Sequence, residues 1–295
     1  MDHARAGVPP LTAPAAAPVD LHLHSTASDG ILPPAGVVRR AAEIGLAAVA
    51  LTDHDTLGGV LEAQAEGERR GVRVVGGCEF STSAPWGEMH VLGYFLPPAD
   101  PRLEAFLRRC RADRVRRARA MVEGLQAWGV DVSFDDLAAE TGEAAMGRPH
   151  LARMLVRHGK VSTVEDAFQQ WLGRGRPAYV EKVLPTFREV AELVHSVSGI
   201  VSAAHLKERG TRAALAGFQT EGLDAVEIRH PGHTPEARAR LTALAATLGL
   251  LGTGGSDWHG EEGIEGSHAM LGSQSVPAEW LEAMDRYRVE RRAAG

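Results

Sequence analysis

The sequence predicts an α/β fold in which a parallel β-sheet is covered by helices. Short runs rich in Leu and β-branched residues alternate with longer helical patterns, which is typical of β/α units. Histidines and acids stand at the ends of several of these runs, where active sites form in such folds. The seven predicted strands are Val19–His24, Ala47–Leu51, Val72–Gly77, Met89–Phe95, Ile200–Ala204, Leu223–Ile228 and Leu250–Gly254.

The helices predicted between these strands carry recognisable start signals. Pro34 precedes a helical pattern over Ala35–Ile44, and Thr234, followed by Pro235, begins a helix that continues through Leu248. Proline is favoured in the first turn of a helix, and threonine is a good N-cap residue. Each helix is long enough to connect two parallel strands.

Residues 99–180 interrupt the alternation of strands and helices. They contain four helical patterns, at Leu103–Trp128, Asp135–Glu140, His150–His158 and Val164–Leu172, and a short strand-like run only at Ala178–Val180. We interpret this segment as a helical insertion that caps the mouth of the sheet. The predicted organisation is a flexible Ala/Pro-rich tail at 1–18, the first part of the barrel at 19–98, the cap at 99–180, and the second part of the barrel at 181–295.

Composition excludes several classes of protein. The chain has 295 residues, 44% of them hydrophobic, which suffices for one large barrel-type domain. Its apolar runs fall far short of the roughly 20 residues of a membrane-spanning helix. Only two cysteines, Cys78 and Cys110, are present, too few for a disulfide framework or a thiolate metal site. We expect a cytoplasmic protein with no membrane association and no obligate protein partner.

The net charge of −6 argues against a stable complex with long nucleic acid, because such complexes need many cations to neutralise phosphates. Seven arginines between Arg108 and Arg119 are a local exception. A helical wheel places Arg117 with most of them on one side and Val115 on the apolar side, which indicates a solvated helix face. Arg114 intrudes on the apolar side, and we predict that it contacts substrate.

The polar side chains at the strand ends form the most informative pattern in the chain. A single histidine or aspartate at such a position is usually a cap or a satisfied buried group, but nine at one rim are different. Without partners, buried imidazoles and carboxylates cost several kcal/mol each, which divalent cations would offset. A ligand set without thiolates suits Mn, Fe or Zn. The nine are His22, His24, Asp29, His54, Glu79, His90, His205, Asp257 and His259.

Five segments carry most of these side chains: Asp20–Gly30, Thr52–Asp55, Gly77–Glu79, His90–Gly93 and Gly255–His259. In this order, and over residues 19 to about 272, they resemble the motifs of the polymerase-and-histidinol-phosphatase (PHP) family. The resemblance implies a distorted seven-stranded β/α (TIM-like) barrel that holds three metal ions. It assigns His22, His24, Glu79 and Asp257 to one ion, Glu79, His90 and His205 to a second, and Asp29, His54 and His259 to a third.

One position departs from the family pattern. The family usually has a proline after the histidine of the fifth strand, whereas this chain has Leu206 after His205. A rigid turn is lost there, so His205 is the least secure of the nine ligands.

Three further segments are similar to a bacterial subgroup of the family that acts on nucleoside 3′,5′-bisphosphates and on the 5′ ends of short oligoribonucleotides. The segments are Gly147–Arg153, Arg174–Val180 and Glu227–His233. Arginine can bind a phosphate through two parallel hydrogen bonds, which is the chemistry that a second phosphate requires. The expected substrate-binding residues are Arg114, Arg148, His150, Arg176 and His233, while Glu227 is expected to support a metal ligand.

The resemblance also predicts a mechanism. A metal-bound hydroxide would attack phosphorus, since coordination lowers the pKa of water toward 7. The metal ions, Mn first and Fe or Zn as alternatives, and Arg148 would neutralise the transferring group. His259 or His233 would protonate the leaving oxygen, and Asp257 would complete the catalytic set. The sequence does not choose among these proton donors.

Other functions fit the sequence less well. Histidinol phosphatases belong to the same family, but the segments for a second phosphate favour a nucleotide. A proofreading module would be fused to a polymerase, for which 295 residues leave no room. A metal-binding scaffold without turnover would be expected to lose some of the nine ligands. A metal-dependent amidohydrolase commonly recruits a lysine near mid-barrel, and the predicted strands contain none.

Overall fold

The structure is a computed structural model that describes residues 17–260 and 270–294. Its centre is a single seven-stranded sheet in which the strands follow chain order from β1 to β7. The predicted α/β fold is therefore confirmed. The strands are β1 Val19–Leu23, β2 Ala48–Leu51, β3 Arg73–Ala84, β4 Gly87–Tyr94, β5 Ile200–Ala203, β6 Ala225–Arg229 and β7 Leu251–Gly254.

The first and last strands approach each other and nearly close the sheet into a barrel. Leu23, the last residue of β1, forms a parallel bridge with Trp258, which follows β7. The backbone N–H of Asp257 donates to the carbonyl of His22 at 2.9 Å, and that of His24 donates to the carbonyl of Trp258 at 2.9 Å. Two histidine-bearing segments are thereby held side by side at one end of the barrel.

Strand β4 is antiparallel to both of its neighbours, β3 and β5, while the other strand pairs are parallel. The prediction of a parallel sheet is wrong for this strand. Ala84 pairs with Gly87, so only Pro85 and Trp86 connect β3 to β4. Two residues can join antiparallel strands in a hairpin, whereas a parallel pair needs a crossover of about a dozen or more.

The helices cover the outside of the sheet. Helix α9 shows the expected signals: Thr234 accepts a hydrogen bond from the N–H of Ala237, Pro235 is the first helical residue, and Gly249 ends the helix with φ 69°. The helices are α1 Pro34–Glu43, α2 Val60–Arg70, α3 Pro101–Ala127, α4 Phe134–Thr141, α5 Arg148–Arg157, α6 Val164–Ala167, α7 Phe187–Ser196, α8 Arg212–Thr220, α9 Pro235–Leu248 and α10 Ala278–Ala294.

Helices α3 to α6 and the segment up to Val180 lie between β4 and β5, and we call them the cap. The cap has its own hydrophobic cluster, in which Leu125, Leu137 and Leu155 are fully buried. After α6 the chain forms a π-helical turn, and the predicted strand Ala178–Val180 is irregular. The cap is therefore held together by its own core as well as by contacts with the barrel.

The burial of two residues on helix α3 differs from the helical-wheel prediction. Arg117, assigned to the solvated face, is only 4% exposed, whereas Val115, assigned to the apolar face, is 41% exposed. The reason is the return of the chain at Tyr179 and Val180, which packs over Arg117: its Nε donates to the carbonyl of Val180 at 2.5 Å. The wheel of α3 alone contains no information about that later segment.

Within residues 17–260 and 270–294, no helix is both long enough and apolar enough to cross a membrane. The predicted N-terminal tail falls almost entirely outside the described residues, which begin at residue 17.

Candidate active site: a histidine and carboxylate cluster

The nine predicted metal ligands come together at one end of the barrel. His22 lies in β1 and His24 directly follows it, while Glu79 and His90 lie in the paired strands β3 and β4. Antiparallel β4 still contributes because His90 is opposite Ser81, close to Glu79 in the same ladder. Asp29 lies in the loop after β1. The remaining ligands lie just beyond the carboxyl ends of their strands: His54, His205, Asp257 and His259.

Glu79 is at the centre of this cluster. Its two carboxylate oxygens face different sets of imidazoles. Oε1 lies 2.7 Å from His90 Nδ1 and 3.0 Å from His205 Nε2. Oε2 lies 3.2 Å from His22 Nε2, from His24 Nε2 and from His54 Nδ1.

Asp257 completes the first group. Its Oδ1 lies 3.2 Å from His24 Nε2 and 3.4 Å from His22 Nε2. Ligand atoms of these three residues and Glu79 all lie within 4.8 Å of one another. This set is the one that the family resemblance assigned to the first ion.

Three further groups have the spacing of metal sites, one of which consists of His22, Glu227 and His230. Ligand atoms of His24, Asp29, His54 and His259 lie within 4.8 Å of one another, which adds His24 to the set expected for the third ion. The structure also groups His54 and His90 with Glu79. His205 was expected to share an ion with Glu79 and His90, and its Nε2 faces Glu79 Oε1. Its backbone is in the left-handed region, with φ 27°.

The residues fit divalent cations by a direct structural test. Both ring nitrogens of His24, Nδ1 of His54 and Oδ1 of Asp29 are buried and make no hydrogen bond. Buried polar atoms normally have hydrogen-bond partners, and leaving them without any costs roughly 1–3 kcal/mol each. Imidazole nitrogens and carboxylate oxygens aimed at a common point are the ligands that Zn, Fe and Mn take.

Without ions, the cluster can balance its carboxylates only with protons. Burial would lower the pKa of His24, but the nearby carboxylates of Asp257 and Glu79 raise it to about 10. The pKa of His54 is instead held well below its usual value, mainly by burial. The pKa of Glu79 is lowered by its histidine neighbours despite burial. Metal binding would therefore release protons from the cluster.

A second layer of polar residues orients the ligands. Asp53 accepts hydrogen bonds from Ser25 N and Oγ, both at 2.7 Å, and from Ser28 Oγ at 2.6 Å, which fixes the loop that carries Asp29. The predicted supporting role of Glu227 agrees with its contacts, since it accepts hydrogen bonds from His22 Nδ1 and His205 N.

His230 is a buried residue of the cluster that the sequence reasoning did not single out. Its Nε2 lies 3.4 Å from Asp257 Oδ2, and its Nδ1 accepts a hydrogen bond from Gly232 N at 2.9 Å. The two oxygens of Asp257 therefore face different partners, with Oδ1 toward the ligand histidines. The signal was available, because His230 directly follows β6, as other cluster residues follow their strands.

His233, predicted to bind substrate or donate a proton, has no ring nitrogen available in this arrangement. Its Nδ1–H donates to the carbonyl of Ile228 at 3.0 Å, and its Nε2 accepts from the N–H of Lys207 at 3.1 Å. Burial lowers its pKa, which favours this neutral form. His233 therefore stabilises the loops after β5 and β6.

Two arginines of the cap contact the loops that carry the cluster. Arg114, predicted to contact substrate, donates from Nε to Asp55 Oδ2 at 2.7 Å, and both side chains are buried. Both Nη groups of Arg153 donate to the carbonyl of Asp29 at 3.0 Å. The cap is thus tied directly to the backbone of a predicted metal ligand.

The other predicted substrate residues lie at the start of α5 or beyond it. Arg148 is the first residue of α5, and His150 Nδ1 accepts from Gly147 N at 3.0 Å. A Cβ atom built on Gly147 would lie 3.8 Å from Asp29 Oδ2, so this helix begins beside the cluster. Arg176 is exposed on the surface of the cap.

Comparison with known proteins assigns the chain to a family. A model of the PHP domain matches residues 20–247. The chain belongs to the PHP family. A 5′-3′ exoribonuclease of Haemophilus influenzae is 34% identical over 81% of this chain and 89% of its own length. A 3′,5′-nucleoside bisphosphate phosphatase of Chromobacterium violaceum is 34% identical over 85% of this chain and 90% of its own.

A solved structure agrees with this assignment. A Bifidobacterium adolescentis protein, assigned as a metal-dependent phosphoesterase, superposes with a TM-score of 0.83 at 32% identity, over 92% of this chain and 96% of its own. This PHP protein is thus a metal-dependent phosphoesterase whose described residues offer several ligand groups for divalent cations.

Proposed function

We propose that this PHP protein hydrolyses phosphate monoesters of nucleotides, with nucleoside 3′,5′-bisphosphates and 5′-phosphorylated short oligoribonucleotides as substrates. The observation that carries the proposal is that helix α5, which begins with Arg148, starts beside the ligand cluster at Asp29. The helix that carries Arg148 therefore begins next to the residues that would hold the metal ions. The two relatives named above, a bisphosphate phosphatase and an exoribonuclease, support this substrate class.

We further propose that the cluster holds three ions, with Mn as the native metal and Fe or Zn as alternatives. Such ions supply Lewis acidity toward phosphoryl oxygens and lower the pKa of a coordinated water. The chain supplies the orientation of the ligands. His259 Nδ1–H donates to the carbonyl of Asp257 at 2.9 Å, which leaves Nε2 as the nitrogen that faces Asp29, 3.3 Å from its Oδ1.

The cap residues would bind the substrate and exclude water. Arg148, held between the rings of Phe168 and Tyr179, presents a planar guanidinium that can bind a phosphate through two hydrogen bonds. A substrate with two phosphates can occupy both the cluster and this guanidinium. Binding energy from the phosphate that does not react then helps to orient the one that does.

The experiment that tests the substrate class is a phosphate-release comparison with the Mn-loaded protein. Adenosine 3′,5′-bisphosphate should exceed histidinol phosphate and a simple aryl phosphate in kcat/KM by about 10-fold or more, a difference of about 1.4 kcal/mol. Asp257→Asn, which keeps shape but removes a ligand charge, serves as the inactive control. If histidinol phosphate were the better substrate by the same factor, the nucleotide assignment would be abandoned.

The oligonucleotide activity needs a separate measurement. Short RNA with a 5′-phosphate should be shortened from its 5′ end, and the same RNA with a 5′-hydroxyl should be degraded more slowly. Equal rates on both would mean that the enzyme does not recognise the 5′-phosphate.

We also propose that the protein acts in the reducing cytoplasm, in line with Cys78 and Cys110 both being free thiols.

A further inference from the structure

Two arginines of the cap stack on the same tyrosine. Arg117 belongs to α3 and Arg148 begins α5, and the Cζ atoms lie 5.6 Å and 5.9 Å from the centre of the Tyr179 ring. Arg148 is also 5.5 Å from the ring centre of Phe168. Cation–π contacts of this kind contribute roughly 0.5–2 kcal/mol each, but they do not neutralise the charges.

Among the described residues, neither guanidinium forms an ion pair with a carboxylate. Across residues 17–260 and 270–294, the ion pairs include Arg114 with Asp55 and Arg116 with Asp113, but none that involves Arg117 or Arg148. Arg117 is nevertheless 4% exposed, and its Nη2 is buried without a hydrogen-bond partner. Burial and the charge of Arg148 together lower the pKa of Arg117 to about 10.

This arrangement is unfavourable in the absence of an anion. Two like charges near one another repel, and a buried cation without a counter-charge costs several kcal/mol. The other polar contacts are few: Arg117 Nε donates to the carbonyl of Val180, and Arg148 Nη1 approaches the carbonyl of Leu172 at 3.5 Å. Several N–H donors therefore remain for a ligand that carries negative charge.

The pair is also close to the predicted metal cluster. Gly147, which precedes Arg148, lies beside Asp29, since a Cβ atom built on it would be 3.8 Å from Asp29 Oδ2. An anion held by the two guanidiniums would therefore lie near the start of α5, on the side of the cap that contacts the cluster.

We propose that Arg117 and Arg148 together form one phosphate subsite in the cap, with Tyr179 holding both guanidiniums in place. Its ligand is the phosphate of a bisphosphorylated nucleotide that is not hydrolysed, so this inference rests on the proposed function. Arg148 was a candidate from the sequence, whereas Arg117 is assigned by the structure alone. Arg117 binds substrate in this proposal and takes no part in bond cleavage.

The test compares Arg117→Met with Arg116→Met, its neighbour on the exposed face of α3. Arg116→Met should leave kinetics unchanged. Arg117→Met should reduce kcat/KM for adenosine 3′,5′-bisphosphate by about 10-fold or more, mainly through KM, because a charge-assisted hydrogen bond is lost. The loss with adenosine 5′-monophosphate should be much smaller. Metal content should equal that of the wild type.

A double-variant cycle tests whether the two arginines act on one ligand. If they share a phosphate, Arg117→Met combined with Arg148→Met should lose less than the product of the two single losses. Independent, multiplicative losses would overturn a shared subsite. So would equal losses of Arg117→Met on the bisphosphate and the monophosphate, or no loss on either.

Two further measurements keep the proposal testable. If Arg117→Met does not fold, Arg117→Lys, which keeps the charge but not the planar fork, should show an intermediate loss specific to the bisphosphate. Binding of adenosine 3′,5′-bisphosphate to chelator-treated protein, measured by calorimetry, separates the subsite from turnover. Binding that depends on Arg117 without any hydrolysis by the metal-loaded wild type would retain the subsite and reject the proposed function. If the wild type hydrolysed the bisphosphate but its binding did not depend on Arg117, the proposed function would be retained and the subsite rejected.

Discussion

Glu227 fixes the orientation of His22. Its Oε1 accepts the Nδ1–H of His22 at 2.9 Å, and its Oε2 accepts the backbone N–H of His205 at 2.7 Å. Because Nδ1 carries the proton, Nε2 of His22 is the nitrogen that faces Glu79 and a metal ion. Burial would raise the pKa of Glu227, but the neighbouring histidines, His22 first, lower it to about 2. One carboxylate therefore supports two predicted ligands from different strands.

The first prediction follows from these contacts. Glu227→Gln should weaken metal binding by about 10- to 100-fold, because the amide has one acceptor oxygen for two N–H donors. Metal content after dialysis against graded chelator would show the loss. Glu208→Gln, at an exposed position, is the matched control. Unchanged metal retention in Glu227→Gln would mean that the contact with Glu227 is unimportant for the site.

The second prediction concerns removal of the metal. Chelation should abolish phosphate release and also lower the melting temperature, because an ion that binds only the folded state stabilises it. Restoring Mn should recover both properties. Differential scanning calorimetry and elemental analysis on the same samples would check it. Activity indifferent to chelator, in protein that contains no transition metal, would reject the metal cluster.

The third prediction compares two Arg–Asp pairs whose arginines both lie on helix α3. Arg114 and Asp55 are buried, whereas the Arg116 side chain in the pair with Asp113 is 52% exposed. Arg114→Met should cost about 3–5 kcal/mol of unfolding free energy, because it leaves a buried carboxylate without its partner. Arg116→Met should cost about 1 kcal/mol or less.

Urea denaturation of both variants measures the difference. If Arg114→Met were as stable as Arg116→Met but bound substrate more weakly, the original expectation that Arg114 contacts substrate would be favoured. The pair also connects α3 to the loop after β2. A large loss of stability would therefore show that the cap and the barrel unfold together.

The sequence predicted the strands and the ligand residues well where a short local motif is sufficient to identify them. Strands β1 and β2 were located to within one residue at each end, because their short apolar runs end directly in a polar motif. Strand β3 begins within one residue of the prediction but continues to Ala84, beyond its predicted end at Gly77. Glu79 and Asp257 were recognised from such motifs, and the structure brings them to one point. Convergence follows from the barrel itself, since strand ends must meet at its rim.

The sequence was less informative where the outcome depends on a distant segment. Arg117 is buried by Tyr179, which lies about 60 residues later, and His233 is engaged by the backbone of a neighbouring loop. The direction of β4 was missed because the predicted third strand ended at Gly77, whereas β3 continues to Ala84. Only Pro85 and Trp86 then remain to connect it to β4, too few for a parallel crossover.

The last prediction concerns pH and Lys182, at the junction of cap and barrel. Its Nζ donates to Ser81 Oγ at 2.8 Å and to Glu88, whose other partner is His90. Burial first, and then the charge of Arg114, lower the pKa of Lys182 to about 8. In an unfolded chain a lysine titrates near 10.4. Between these values the unfolded state binds more protons, so the contribution of Lys182 to stability rises with pH.

Chelator-treated wild type should therefore gain unfolding free energy relative to Lys182→Met as pH rises from about 8 to about 10.4, by at most about 3 kcal/mol. Below pH 8 the difference should be constant, since the lysine is charged in both states. The two variants share every other titrating group, so the subtraction isolates Lys182. Lys160→Met, at an exposed position, should run parallel to the wild type. If Lys182→Met did so as well, the amine would be as well solvated as an ordinary surface lysine.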